Sequence, residues 1–201
     1  LFFPLILLFF QTSCIDLPYR SNPVKESRFM LNTFIEITLY EKEKNARDIF
    51  DDLFGEVQKY ENKFSRHVPE SEITQVNNSP GKPVKVSDET IEIVRSSFSF
   101  SEMSEGLFDI SIGPLIDLWD INGSNPRLPP ENEIENTIEK IDYNKIIINS
   151  GDNTLLLSED GMSLDLGAIA KGFITDRLVE YLSQKKIRSA MLNLGGNLYL
   201  H

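Results

Sequence analysis

The chain has 201 residues, enough for one good-sized domain, and its 40% apolar and 25% charged content is ordinary for a globular protein. A net charge of −11 argues against nucleic acid as a partner. The single cysteine excludes an internal disulfide framework and any cysteine-based zinc site. Two histidines leave little for a histidine cluster, so a bound metal is expected to be a hard ion held by oxygen.

In chain order, Leu1–Phe10 is almost wholly apolar and too short to span a bilayer, which suits the core of a signal peptide. Gln11-Thr12-Ser13-Cys14 follows, and small residues before a lone cysteine resemble a bacterial lipoprotein cleavage site with Cys14 as the lipidated residue. Gln11 departs from the aliphatic residue usual three places before that cysteine. The other reading is an ordinary secretory signal, or the end of a membrane anchor. Residues 15–28 read as a polar tether. The chain lacks an initiator Met and stops at His201 inside an apparent strand, so it reads as a fragment truncated at the C-terminus.

Phe29–Tyr40 is predicted as a strand through the alternation of Ile35, Ile37 and Leu39 with Glu36 and Thr38. Asn45 is placed to cap a helix over Ala46–Lys63, whose buried face is Ile49, Phe50, Leu53, Phe54, Val57 and Tyr60. Val84–Val86 is a short strand. Asp88–Glu105 is a second amphipathic helix stopped by Gly106. Ser124–Pro130 is a loop, Glu131–Ile141 a short helix, and Lys145–Asn149 with Thr154–Leu157 a hairpin. The hairpins and irregular spacing predict an α+β fold, a mixed and largely antiparallel sheet with packed helices.

The chemistry-bearing stretch is Ser163–Asn197. Leu164-Asp165-Leu166-Gly167 shows no helical period. A helix is predicted from Ala168 through Ala170, Ile174, Leu178 and Leu182, then a strand through Ala190, Leu192 and Leu194, broken by Gly195-Gly196. Asp165 stands before a helix whose free N–H groups attract anions, and Lys171 follows within two turns beside Gly172. That pattern fits a nucleotide or metal-phosphate site. On spacing alone it equally fits a capping aspartate and a solvated lysine. The order of glycines is not that of a phosphate-binding Walker loop.

Asp165-Leu166-Gly167-Ala168-Ile169-Ala170-Lys171-Gly172 with Asp176, followed by Asn193-Leu194-Gly195-Gly196-Asn197, resembles the signature of the ApbE family, close to LDLGGIAKGYAVD and VDLGGD. Ala168 replaces the second glycine, and Asn197 the terminal acid. Further matches run back along the chain. Met30 with Thr33 resembles the family's Met-Gly-Thr strand, Leu31 replacing the glycine. Phe64-Ser65-Arg66-His67 with Ser71-Glu72 and Asn77 resembles FSRY…SE…N. Leu107-Phe108-Asp109 through Gly113-Pro114-Leu115 resembles FDPTVGPL, Ile110 replacing a proline.

The resemblance implies an ApbE-like (T-fold-like) domain, with residues 29–201 its N-terminal part. It implies a Mg²⁺-dependent transferase that moves FMN from FAD to a threonine or serine hydroxyl of an acceptor protein and releases AMP. Met30, His67, Leu107, Phe108, Asp109, Asp165 and Lys171 would then contact FAD, and the Ala168 carbonyl the metal. The remaining metal ligands and the catalytic groups are expected downstream of residue 201, leaving this stretch inactive alone. A lipid anchor would hold the protein at a bacterial cell membrane, facing the periplasm or exterior. The alternatives are a pyrophosphatase that gives FMN and AMP, and a non-enzymatic flavin-binding lipoprotein.

Overall fold

The computed structural model describes residues 22–40, 43–121 and 123–201. Leu1–Phe10 and Cys14, and with them the signal and lipidation expectations, lie outside the described residues.

Strands β1 (Val24–Met30) and β2 (Thr33–Leu39) form an antiparallel hairpin in which Met30 pairs with Thr33. The sequence reading placed a tether up to residue 28 and one strand from Phe29 to Tyr40. The structure corrects both. Leu31 and Asn32 form the two-residue turn at φ 53° and 56°, the left-handed pair that a I′ hairpin turn requires. No glycine marks it, and Asn32, a residue that tolerates the left-handed region, is its one turn signal. The Leu31 N–H is held instead by Glu61 Oε1 at 2.9 Å. The charges of β1 look like a tether in isolation, yet each finds a partner. Arg28 pairs with Glu26 and Asp51, both at 2.7 Å, and its guanidinium lies 4.3 Å from the centre of the Phe54 ring.

Helix α1 (Glu43–Phe64) presents Phe50, Leu53, Phe54, Val57, Tyr60 and Phe64 to the core. It begins ahead of Asn45, which is therefore inside the first turn and not the expected cap. Two helices escaped the sequence reading, α2 (Glu72–Asn77) and α4 (Gly113–Trp119), because six or seven residues are too few to display a period. Between them lie β3 (Val84–Lys85) and α3 (Asp88–Met103). Helix α5 (Glu131–Ile138) and a 3-10 turn at Tyr143–Lys145 lead to the expected hairpin of β4 (Ile146–Asn149) and β5 (Thr154–Leu157). Helix α6 (Gly167–Gln184), β6 (Ala190–Leu194) and β7 (Asn197–Leu200) complete the described chain.

The strands make two antiparallel sheets, one ordered β1-β2-β6-β7 and one β3-β5-β4. Ile35, Ile37 and Leu39 of β2 and Ala190, Leu192 and Leu194 of β6 are buried, as alternation demands of a face covered by helices. Phe173 of α6 meets Tyr60 and Phe64 of α1 edge-on, with ring centres 5.9 and 5.6 Å apart. The α+β class read from the sequence is the class observed.

The register also decides where the loops go. Ile35 pairs with Leu194, so the Leu31-Asn32 turn and the Gly195-Gly196 turn share one end of the larger sheet. Gly195 has φ +61°, and a Cβ there would come within 2.6 Å of Thr33 Cγ2, so this turn tolerates no side chain. Asn197 Nδ2 donates to Thr175 Oγ1 at 3.2 Å, which in turn donates to the Lys171 carbonyl at 2.8 Å. The first half of α6 is thereby tied to the same end.

Candidate active site

The approach to α6 is an extended strip, Ser163–Asp165, held between neighbours. On one side it lies against Ile110–Gly113. Ile112 bridges Ser163, Asp165 N–H donates to the Ile110 carbonyl at 2.8 Å, and Gly113 N–H donates to the Ser163 carbonyl at 3.2 Å. Gly113 has to be glycine, because a Cβ would sit 2.6 Å from the Ser163 carbonyl oxygen. On the other side, the Asn77 amide bonds both backbone groups of Leu164, and the Leu164 side chain is fully buried.

Asp165 emerges from this strip against the start of α6. Its Oδ1 accepts the Gly167 N–H at 2.7 Å, satisfying one of the donors that every helix start leaves over. Its Oδ2 faces Arg66 Nη1 at 3.6 Å. Arg66 is nearly covered, at 11% side-chain exposure, and also binds Asp117 Oδ2 at 2.6 Å and the Gly113 carbonyl at 3.2 Å. One guanidinium thus joins the α1–α2 loop, α4 and Asp165. The first turn of α6 carries no acid of its own, and Gly167 and Ala168 are exposed. Lys171 is half-buried one turn on and has no ion pair among the described residues. An open helix start, a lysine and a cation-steadied carboxylate can together hold a polyanion that also offers hydrogen-bond donors.

The other expected contact residues differ in placement. Met30 is buried at the end of β1, one residue from the Leu31 N–H that Glu61 of α1 holds. His67 is exposed in the loop that carries Arg66, and its N–H donates to Ser65 Oγ at 3.2 Å. Phe108 packs edge-on against Phe100, with ring centres 6.0 Å apart, whereas Leu107 is 93% exposed. Asp109 is heavily engaged within the chain. Oδ1 accepts from the N–H and hydroxyl of Ser111, both at 2.7 Å, and Oδ2 accepts the Tyr143 N–H at 2.9 Å. These bonds fix the Ile110–Gly113 strip on which Asp165 leans.

Arg66 and Asn77 stand out as residues whose roles the sequence did not disclose. Both fall within stretches that match the family signature, which was the available signal. Their partners lie 99 and 87 positions away, taking Asp165 minus Arg66 and Leu164 minus Asn77, so no local pattern points to them. Ala168 can offer a metal only its carbonyl. Among the described residues no group of three or more His, Cys, Asp or Glu side chains comes together. The described donors do not amount to a Mg²⁺ site.

The ApbE family model matches residues 31–201, the stretch that carries Arg66, Asn77, Asp165 and Lys171. The chain belongs to the ApbE family. Similar proteins include an FAD:protein FMN transferase of Klebsiella pneumoniae, 32% identical over 148 residues, which are 73% of this chain and 47% of that protein. A Treponema pallidum FAD:protein FMN transferase is 27% identical over 188 residues, 90% of this chain and 52% of that protein. The chain spans about half the length of these curated relatives. Among solved structures, the ApbE protein of Thermotoga maritima superposes with a TM-score of 0.82 at 27% identity, over 89% of this chain and 58% of that one. The flavin transferase ApbE of Vibrio cholerae gives 0.82 at 23% identity, over 89% and 59%, which supports the ApbE fold.

Proposed function

We propose that the full-length protein transfers FMN from FAD to a threonine or serine hydroxyl of an acceptor protein and releases AMP. The observation that carries this reading is the family match over residues 31–201, because those residues build the Asp165–Lys171 site.

The reaction makes an O–P bond between the acceptor hydroxyl and the FMN phosphorus and breaks the bond from that phosphorus to the bridging oxygen. The bridging oxygen leaves on AMP, and the hydroxyl proton is lost. Negative charge grows on the phosphate oxygens, and a site catalyses by meeting that charge with fixed donors and cations. Lys171 supplies a cation, and the Ala168 N–H left over at the start of α6 a donor, for the pyrophosphate. Asp165, steadied by Arg66 and the Gly167 N–H, accepts hydrogen bonds from FAD and orients it. Met30, His67, Leu107 and Phe108 flank the nucleotide. Asp109 adds to this through the strip it anchors.

Mg²⁺ belongs to the proposal through the resemblance and through the affinity of a hard cation for phosphate oxygens. Lipidation of Cys14 and an anchored position facing away from the cytoplasm belong to it through the Gln11–Cys14 pattern. Incubating the full-length protein with FAD, Mg²⁺ and a candidate acceptor tests the central reading. The expected products are AMP and acceptor bearing covalent flavin. Free FMN and AMP would make the protein a pyrophosphatase, and bound but intact FAD would make it a carrier.

A further inference from the structure

Asn77 is the last residue of α2, and its side-chain amide reaches Leu164, 87 positions later. Asn77 Oδ1 accepts the Leu164 N–H at 2.7 Å, and Asn77 Nδ2 donates to the Leu164 carbonyl at 3.0 Å. One amide thus takes both backbone groups of one residue, as a neighbouring strand would. The opposite edge of the same strip is bonded to Ile110 and Gly113. Leu164 is therefore clamped from both sides, one position before Asp165.

Only a side chain carrying a donor and an acceptor side by side can make this pair. Aspartate lacks the donor, and leucine, close to asparagine in size, lacks both groups. The rest of α2 has its own supports. Ile73 and Val76 are buried, and the Ser71 hydroxyl accepts the Thr74 N–H at 2.9 Å while donating to the Ser65 carbonyl at 2.5 Å. The helix is thus packed and capped without the Asn77 amide, whose two bonds go wholly to the strip.

We infer that Asn77 is a positioning residue for the flavin site. It fixes the Leu164 peptide and so sets where the Asp165 carboxylate stands relative to Arg66 and the Gly167 N–H. The inference rests on the proposed role of Asp165 in holding FAD.

The test is a double-mutant cycle in the full-length protein with Asn77→Leu, Asp165→Asn and the pair, read by the Kd for FAD and by thermal melting. Asn77→Leu is expected to melt a few degrees below the wild type, because the Leu164 N–H and carbonyl lose their partner, and to weaken FAD binding about tenfold, more than that fall in stability accounts for. The pair should bind no more weakly than Asp165→Asn alone, to within about twofold, because both changes act through one carboxylate. If Asn77→Leu does not fold, Asn77→Ala takes its place in the same cycle. Additive losses, or weakening that only tracks the fall in melting temperature, would make Asn77 a purely structural residue and overturn the inference. Wild-type binding by Asn77→Leu beside weakened binding by Asp165→Asn would overturn it while leaving the site intact. Wild-type binding by both would remove the Asp165 site itself, and the role of Asn77 with it.

Discussion

Helices α3 and α6 begin in opposite ways. The start of α3 is closed by the chain's own acids. Asp88 and Glu89 lie in its first turn, and Glu72 arrives from α2 to accept from the Ser87 N–H and Ser87 hydroxyl at 2.9 Å and from the Thr90 hydroxyl at 2.5 Å. The start of α6 has no acid in its first turn, and two of its first residues are exposed. Its one acid, Asp165, stands before the helix and is shared with Arg66. A helix start that holds the fold together is neutralised internally. One left open, with a lysine a turn away, has capacity for a ligand's charge. Perturbing α3 should therefore cost stability, and perturbing α6 should cost binding.

The largest expected effect is on the α6 side. Lys171→Ala in the full-length protein should weaken FAD binding by ten- to a hundredfold, as loss of a charge-assisted hydrogen bond worth about 1.5–3 kcal/mol would. Its melting temperature should hold, and a titration of flavin fluorescence with a parallel melt checks both. An unchanged Kd would place Lys171 in solvent.

Glu72→Ala makes the converse case. It strips the acceptor from three donors, one of them the fully buried Thr90 hydroxyl, and should cost about 1–3 kcal/mol. For a chain of this length that is a fall in melting temperature of roughly 2–12 °C. FAD affinity should not move. A large loss of affinity at wild-type stability would break the comparison.

Cys14→Ser tests a more remote expectation. A fatty-acid probe should label the wild type in cells and not this variant, and equal labelling of both would end the lipid-anchor proposal.

The smallest effect concerns pH. A hydrogen bond from Lys63 Nζ at 2.9 Å is the main cause that draws the Glu89 carboxyl down from about 4.5 to about 2. A depressed folded-state pKa stabilises above the unfolded value, so this contribution is full above pH 4.5 and fades as pH falls from there to about 2. The pair is partly exposed, so Glu89→Gln should cost below about 1 kcal/mol at pH 7 and only a fraction of that near pH 2, by denaturant titration at both.

The same contrast explains what the sequence disclosed. α1, α3, α6 and the β4–β5 hairpin were legible because each buries one face over enough residues for a period to register. The β1–β2 turn was not, since Leu31 takes a left-handed conformation that usually calls for glycine. In the site, Asp165 and Lys171 could be picked out by their place at a helix start. Arg66 and Asn77 act on the Asp165 carboxylate and the Leu164 backbone, which lie far from them in the chain and which no local pattern pairs with them. Asp109 was legible as a signature residue, but its bond to Tyr143, 34 positions on, depends on the turn before β4.

The central claim is that the start of α6 is a flavin site rather than a capped helix end. Asp165→Asn tests it most directly, because asparagine keeps an oxygen for the Gly167 N–H and loses only the charge and one acceptor. The account predicts, for the full-length variant, a melting temperature within about 3 °C of the wild type, since the Arg66 contact is a long one. It predicts clearly weaker FAD binding and a large fall in FMN transfer. Wild-type affinity and turnover would contradict it, leaving Asp165 as a helix cap and no more.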